Sequence, residues 1–265
     1  MSDFFTLMAS DPEFERGGIR HVTVKSKMLG HRADITLHVP PEAKQEQNIP
    51  LVLLLHGIYS SHWSWVYHGG VDKIFTRLIS LNEVPPMVLV MPSDGLWGDG
   101  SGYLPHPKHN FEGWICEDVV QATIEVVDGV TEASPLFISG LSMGGYGALR
   151  LAAKYPQRFR GCSAHSSVTE FEQLNPLSEK SLDNYPVHGD ETSILHYMKL
   201  NKSALPPIRF DCGTDDELLT ANRQLHQAML RGEIPHSYEE FPGGHDWKYW
   251  GEHVEKTLKF FGGLL

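Results

Sequence analysis

Residues 50–57, PLVLLLHG, form a continuous apolar run that is short and bounded by Pro50 and Gly57. A strand without a polar face has to be covered on both sides. The chain repeats the device at 86–92 (PMVLVMP), 135–140 (PLFISG), 159–166 (FRGCSAHS) and 206–213 (PPIRFDCG). Between these runs the apolar spacing becomes helical. In VDKIFTRLISL, Val71, Ile74, Phe75, Leu78 and Ile79 share one face. Further helices are predicted over 117–130, 143–154, 216–232 and 246–261, and a last strand over 236–243. Strands alternating with helices predict an α/β fold with a mostly parallel central sheet and helices on both faces. Residues 20–39 differ: two stretches of period-two alternation around Leu29 and Gly30 predict an antiparallel hairpin at the N-terminal edge of that sheet.

Bulk properties narrow the partners. A chain of 265 residues can bury one large core, so a single domain spanning 1–265 is expected. A formal charge of −11 repels nucleic acid, and no Lys/Arg cluster opposes it. No apolar run approaches the ~20 residues of a membrane helix. MSDFFTLMASDPEFERGG carries acids where a signal peptide needs a basic region followed by an apolar one. Cys116, Cys162 and Cys212 are odd in number, widely spaced and set among apolar residues, unlike a disulfide frame or a zinc site. The expectation is a cytoplasmic, reduced setting without nucleic acid or membrane as partner; a homo-oligomer is compatible with it.

Two long stretches interrupt the alternation, at 93–114 and 167–200. Both follow strands, where open α/β sheets place ligands. Their aromatic residues Trp97, Tyr103, Phe111, Trp114 and Phe171 suggest walls of a substrate cleft rather than decoration.

The chemistry centres on FISGLSMGGYGALRLAAKYP. Gly-x-Ser-x-Gly between a buried strand and a helix is a nucleophile elbow: the turn lifts Ser142 clear of the sheet, and Gly140 and Gly144 leave room for neighbouring backbone. The free amides of the helix start then face the same place. A serine hydroxyl needs a base and an orienting carboxylate, which on such a scaffold follow in the order acid, then histidine. Among 15 histidines, His245 stands after the last predicted strand on a loop freed by Gly243 and Gly244. His236 opens that strand at the wrong end, and His253 lies inside the last helix; His56, His165 and His188 suit ordinary polar contacts. For the acid, Asp211 lies within a strand, whereas Asp215 and Asp216 follow Gly213 and Thr214. One of the pair is expected to cap the next helix and the other to receive His245 Nδ1–H. Residue chemistry leaves the two close to even. Oxyanion donors are expected from the amide of Met143 and from the loop after 50–57, with Ile58 first and Gly57 and Tyr59 as substitutes.

LLHG, GLSMGGYGALRLAAKYPQRF, DCGTDDELL and GGHDWKYW together resemble the esterase D-like branch of the α/β-hydrolases, which includes tributyrin-type carboxylesterases, feruloyl and acetyl-xylan esterases and S-formylglutathione hydrolases. The resemblance spans roughly residues 20–262 and is specific at the motifs. It implies the α/β-hydrolase fold, Ser142, Asp216 and His245 as the triad, Ile58 and Met143 as oxyanion donors, and no metal or organic cofactor. It also implies a serine carboxylesterase acting on short-chain acyl or carbohydrate-linked esters, an acylated oligosaccharide among the candidate substrates. The alternatives are a thioesterase of the S-formylglutathione hydrolase type and a catalytically silent binding module. Tyr146 departs from the His that S-formylglutathione hydrolases generally carry after the elbow glycines, and segment 93–114 is longer and richer in glycine than its counterpart in the family.

Overall fold

The computed structural model describes residues 4–45, 47–96, 98–177 and 185–265. Its strands are β1 (Leu7–Ala9), β2 (Ile19–Lys25), β3 (Arg32–His38), β4 (Leu51–Leu55), β5 (Val88–Pro92), β6 (Pro105–His106), β7 (His109–Asn110), β8 (Leu136–Leu141), β9 (Gly161–His165), β10 (Ile208–Gly213) and β11 (Ser237–Phe241). All but β6 and β7 join one sheet in the order β1-β2-β3-β5-β4-β8-β9-β10-β11. From β5 to β11 the pairs are parallel; β1 with β2, β2 with β3, and β3 with β5 are antiparallel. This is the α/β-hydrolase arrangement. The hairpin around Leu29 and Gly30 is β2–β3, and β1 extends the edge beyond it.

The continuous apolar runs follow from two cores. Along β4, Leu51, Leu53 and Leu55 enter one apolar cluster, while Val52 and Leu54 enter a second on the opposite face. The second is closed by α2 (Val71–Ser80) and α8 (Trp247–Gly262), through Phe75 and Leu78 from one and Val254, Leu258 and Phe261 from the other. The first is closed by α4 (Val119–Val126) and α5 (Met143–Lys154). At about 25 cal/mol per Å² of apolar surface buried, these faces supply most of the drive to fold.

The helix expected over 117–130 begins earlier and ends earlier. A short helix, α3 (Phe111–Gly113), a π-helical turn at Trp114–Asp118 and α4 follow one another without a break. Asn110 starts the series by accepting the Gly113 amide at 2.9 Å, a cap that apolar spacing does not reveal. Val127 is extended and Gly129 has φ +84°, which ends it. The tail of segment 93–114 is therefore helical. Upstream, β6 and β7 form a two-residue-per-strand hairpin. Tyr103, Phe111, Trp114 and Phe171 are all buried, so these rings anchor the two inserted segments to the core; Trp97 lies outside the described residues. Segment 167–200 contributes a 3-10 helix at Phe171–Leu177 and α6 (Ile194–Leu200), with residues 178–184 outside the described set. Cys116, Cys162 and Cys212 are buried and free, and among the described residues no helix is long and apolar enough to cross a membrane.

Candidate active site

One residue separates β8 from α5, and it is Ser142. Its backbone is held at φ 54° and ψ −120°, a conformation that costs a non-glycine residue on the order of 1–3 kcal/mol. Close packing holds it there. A Cβ on Gly140 would lie 2.2 Å from the Gly144 carbonyl oxygen, and one on Gly144 would lie 2.4 Å from that of Leu55. Only glycines let β8, α5 and β4 approach so closely. The Ser142 amide donates to the His165 carbonyl at 3.0 Å, and the Ser142 carbonyl accepts from Val168 and Tyr146, both at 3.1 Å.

His245 arrives from the loop between β11 and α8. Asp246 ends that loop by accepting the Tyr249 amide at 2.9 Å, which caps α8. Gly243 adopts φ +136°, and its carbonyl accepts the Asp215 amide at 2.9 Å, tying the loop to the end of β10. His245 Nε2 then lies 3.0 Å from Ser142 Oγ. Its Nδ1 faces both oxygens of Asp216, at 3.1 and 2.9 Å. Trp250 packs edge-to-face on the imidazole, ring centroids 4.9 Å apart.

Asp216 is buried and Asp215 exposed. Burial alone would raise the Asp216 carboxyl, but the hydrogen bond and charge of His245 and the Leu218 amide outweigh it and hold the group below the usual carboxylate range. Neither aspartate caps the following helix as expected. Helix α7 (Leu219–Arg231) starts from Leu218 with no side-chain cap, and Asp216 Oδ1 instead accepts the Leu218 amide at 2.8 Å while still serving His245.

The side chains of Ile58 and Met143 both approach Gly100. A Cβ on Gly100 would fall 2.6 Å from Met143 Sδ and 3.2 Å from Ile58 Cγ1, and one on Gly57 would lie 3.3 Å from Ser142 Cβ. Met143 is the first residue of α5, where the amide has no acceptor within the helix. The Tyr59 amide already donates to the Asp99 carbonyl at 2.8 Å, which removes it as a substitute donor.

Of the other histidines weighed from the sequence, His56, His165, His236 and His253 have partners elsewhere. His56 faces the Gly57 carbonyl through Nδ1 at 2.7 Å and accepts the Asp94 amide through Nε2 at 3.1 Å. His165 is buried against Asp211 at 3.0 Å, His236 Nε2 meets His226 at 2.8 Å, His253 stacks on Phe241, and His188 is exposed.

Both inserted segments reach this rim. Tyr59 Oη donates to the Leu177 carbonyl at 2.6 Å, Tyr185 Oη to the Gly100 carbonyl at 3.2 Å, and Tyr103 Oη to the His56 carbonyl at 2.9 Å. Residue chemistry gave no sign of these ties, because each joins a side chain to a main-chain oxygen whose position depends on the fold.

Known proteins give a consistent picture. The Esterase family model matches residues 26–261. An acetyl esterase from Caldicellulosiruptor saccharolyticus is 27% identical over 269 residues, covering 91% of this chain and 97% of its own. Among solved structures, a ferulic acid esterase superposes with a TM-score of 0.80 at 24% identity, covering 98% of each chain. An S-formylglutathione hydrolase from Agrobacterium tumefaciens superposes at 0.78 and 19% identity, covering 100% of each. At these identities the structural likeness shows the fold.

Proposed function

The chain belongs to the Esterase family, whose model spans its residues 26–261, and we propose that it is a serine carboxylesterase working through Ser142, His245 and Asp216. The unbroken run of hydrogen-bond distances from Ser142 Oγ through the imidazole to Asp216 carries this reading. In the first half-reaction His245 Nε2 takes the Ser142 proton as Oγ bonds to the ester carbonyl carbon, and the carbonyl oxygen becomes an oxyanion facing the Ile58 and Met143 amides. The carbon–alkoxide bond then breaks, and the alcohol leaves with the proton held on Nε2. Water, deprotonated by the same nitrogen, attacks the acyl-enzyme; the carboxylic acid departs and Ser142 recovers its proton. Asp216 stays ionised throughout and stabilises the imidazolium.

The substrates we infer are small esters with short acyl groups or acyl groups carried on sugars. Segments 93–114 and 167–200 border the cleft in a one-domain chain, a reading supported by Gly100 reaching Met143 and Ile58 and by the Tyr59–Leu177 tie. Ser142→Ala is expected to lower turnover of p-nitrophenyl acetate by at least about 10³-fold with the fold intact. Retained turnover, or fluorophosphonate labelling elsewhere than Ser142, rejects the assignment. The thioesterase alternative is disfavoured by Tyr146, which is buried with its hydroxyl donated to the Thr192 carbonyl at 2.6 Å and so holds an inserted segment. A panel of acetyl, butyryl, feruloyl and S-formyl donors separates the substrate classes.

A further inference from the structure

Beneath the site lies a second histidine–aspartate pair that acyl transfer does not use. His165, Asp211 and Tyr249 are each at most 2% exposed, out of reach of any substrate. Asp211 gathers both sides of the site. Its Oδ1 takes His165 Nδ1 at 3.0 Å and the Tyr249 hydroxyl at 2.9 Å, its Oδ2 takes Arg209 at 2.8 Å, and its carbonyl accepts the Ser166 amide at 2.8 Å. Burial would raise this carboxyl, but His165, Arg209 and Tyr249 together hold it ionised.

Two of these partners, His165 and Tyr249, each lead to one reacting side chain. His165 holds the Ser142 amide on its own carbonyl, so the nucleophile's strained backbone rests on the residue whose ring Asp211 fixes. Thr257 of α8 steadies the far side of that ring, with Oγ1 2.8 Å from Nε2. Tyr249 lies in the first turn of α8, its amide held by Asp246, and its ring fills the space against Gly243, where a Cβ would fall 2.7 Å from Tyr249 Cδ2. Gly243 opens the loop that presents His245.

We propose that Asp211 and Tyr249 are positioning residues that set the height of the His245 loop against the Ser142 elbow. The inference rests on Ser142 and His245 being nucleophile and base. Hydroxyl-to-carboxylate bonding between α8 and β10 joins two supports that are otherwise separate in the chain, and a small displacement of either support lengthens the Ser142–His245 contact. Misplacement by about 1 Å can cost about 10²-fold in rate.

Tyr249→Phe removes that bond and little else. We expect kcat on p-nitrophenyl acetate and the rate of fluorophosphonate labelling of Ser142 to fall together by about 10- to 100-fold, with KM unchanged and native circular dichroism. Wild-type kcat and labelling, whatever the change in melting temperature, would reduce the network to a structural one and overturn the proposal. If Tyr249→Phe does not fold, Asp211→Asn, which keeps the shape of the side chain and weakens its bonds to His165, Arg209 and the Tyr249 hydroxyl, carries the test with the same expected direction; an unchanged labelling rate there overturns it equally. Ser142→Ala run in parallel separates the failures: if it keeps full turnover, the nucleophile assignment falls and this proposal with it, whereas its inactivity together with a fully active Tyr249→Phe rejects the positioning role alone.

Discussion

Asp216 faces His245 Nδ1 through both carboxylate oxygens, at 2.9 and 3.1 Å, while its neighbour Asp215 points to solvent. If this pair orients the base, Asp216→Asn should lower kcat by about 10³- to 10⁴-fold, because an amide no longer selects the tautomer with Nδ1–H or stabilises the imidazolium. Asp215→Asn should leave kcat near wild type. Steady-state kinetics on one chromogenic ester checks both, and the reverse order would move the acid to Asp215.

Gly140→Ala should destabilise the protein by at least about 3 kcal/mol, since the added methyl would sit 2.2 Å from a backbone oxygen of α5 that cannot move without dismantling the elbow. Gly100→Ala should cost much less, because the atoms it meets belong to the side chains of Met143 and Ile58 rather than to backbone. Urea denaturation of the two variants gives the comparison.

Glu112 joins Arg150 at 2.6 Å and Lys154 at 2.7 Å, with Tyr155 as a third partner, and so ties α3 to α5. Burial opposes its ionisation, yet these partners leave the carboxyl below its ordinary value of 4.5. The folded protein therefore binds this proton less readily than the unfolded chain. The resulting stability is complete above about pH 4.5 and is lost as pH falls through the lower folded value. Glu112→Gln should cost about 3 kcal/mol at neutral pH by leaving Arg150 buried without its carboxylate, and should flatten the acid limb of the stability profile. Denaturation midpoints measured from pH 7 to pH 3 read both effects.

Tyr103→Phe should lower stability by about 1 kcal/mol, the worth of a neutral hydrogen bond lost from the His56 carbonyl in the loop that carries Ile58. Thermal melts against wild type measure it.

Much of the scaffold was legible because burial on two faces leaves a local trace. The run at 50–57 became β4, the helix read over 143–154 is α5 with the same limits, and the alternation at 20–39 is β2–β3. Elements without such a trace were missed. Strand β1 has only three, largely exposed residues, α1 (Ser64–Tyr67) has a single turn, and the β6–β7 hairpin has two residues per strand, all too short for a period to appear. The aromatic residues of the inserted segments read as a possible cleft lining because composition does not say which way a ring faces; those described turn inward.

The amino-acid order alone determined the alternating architecture and the narrow set of positions from which a nucleophile, a base and an acid could come, since periodicity, glycine spacing and motif order are properties of neighbouring residues. Residue chemistry left Asp215 and Asp216 even and the family resemblance implied Asp216; the tertiary structure set Asp216 at hydrogen-bond distance from His245, and it alone withdrew Tyr59 as an amide donor and joined Asp211 to both Ser142's support and the His245 loop. Those outcomes depend on burial and on contacts between segments up to 103 residues apart, such as Asp216 with His245 and Ser142 with His245, and distances of that kind come into being only when the sheet and its covering helices close around them.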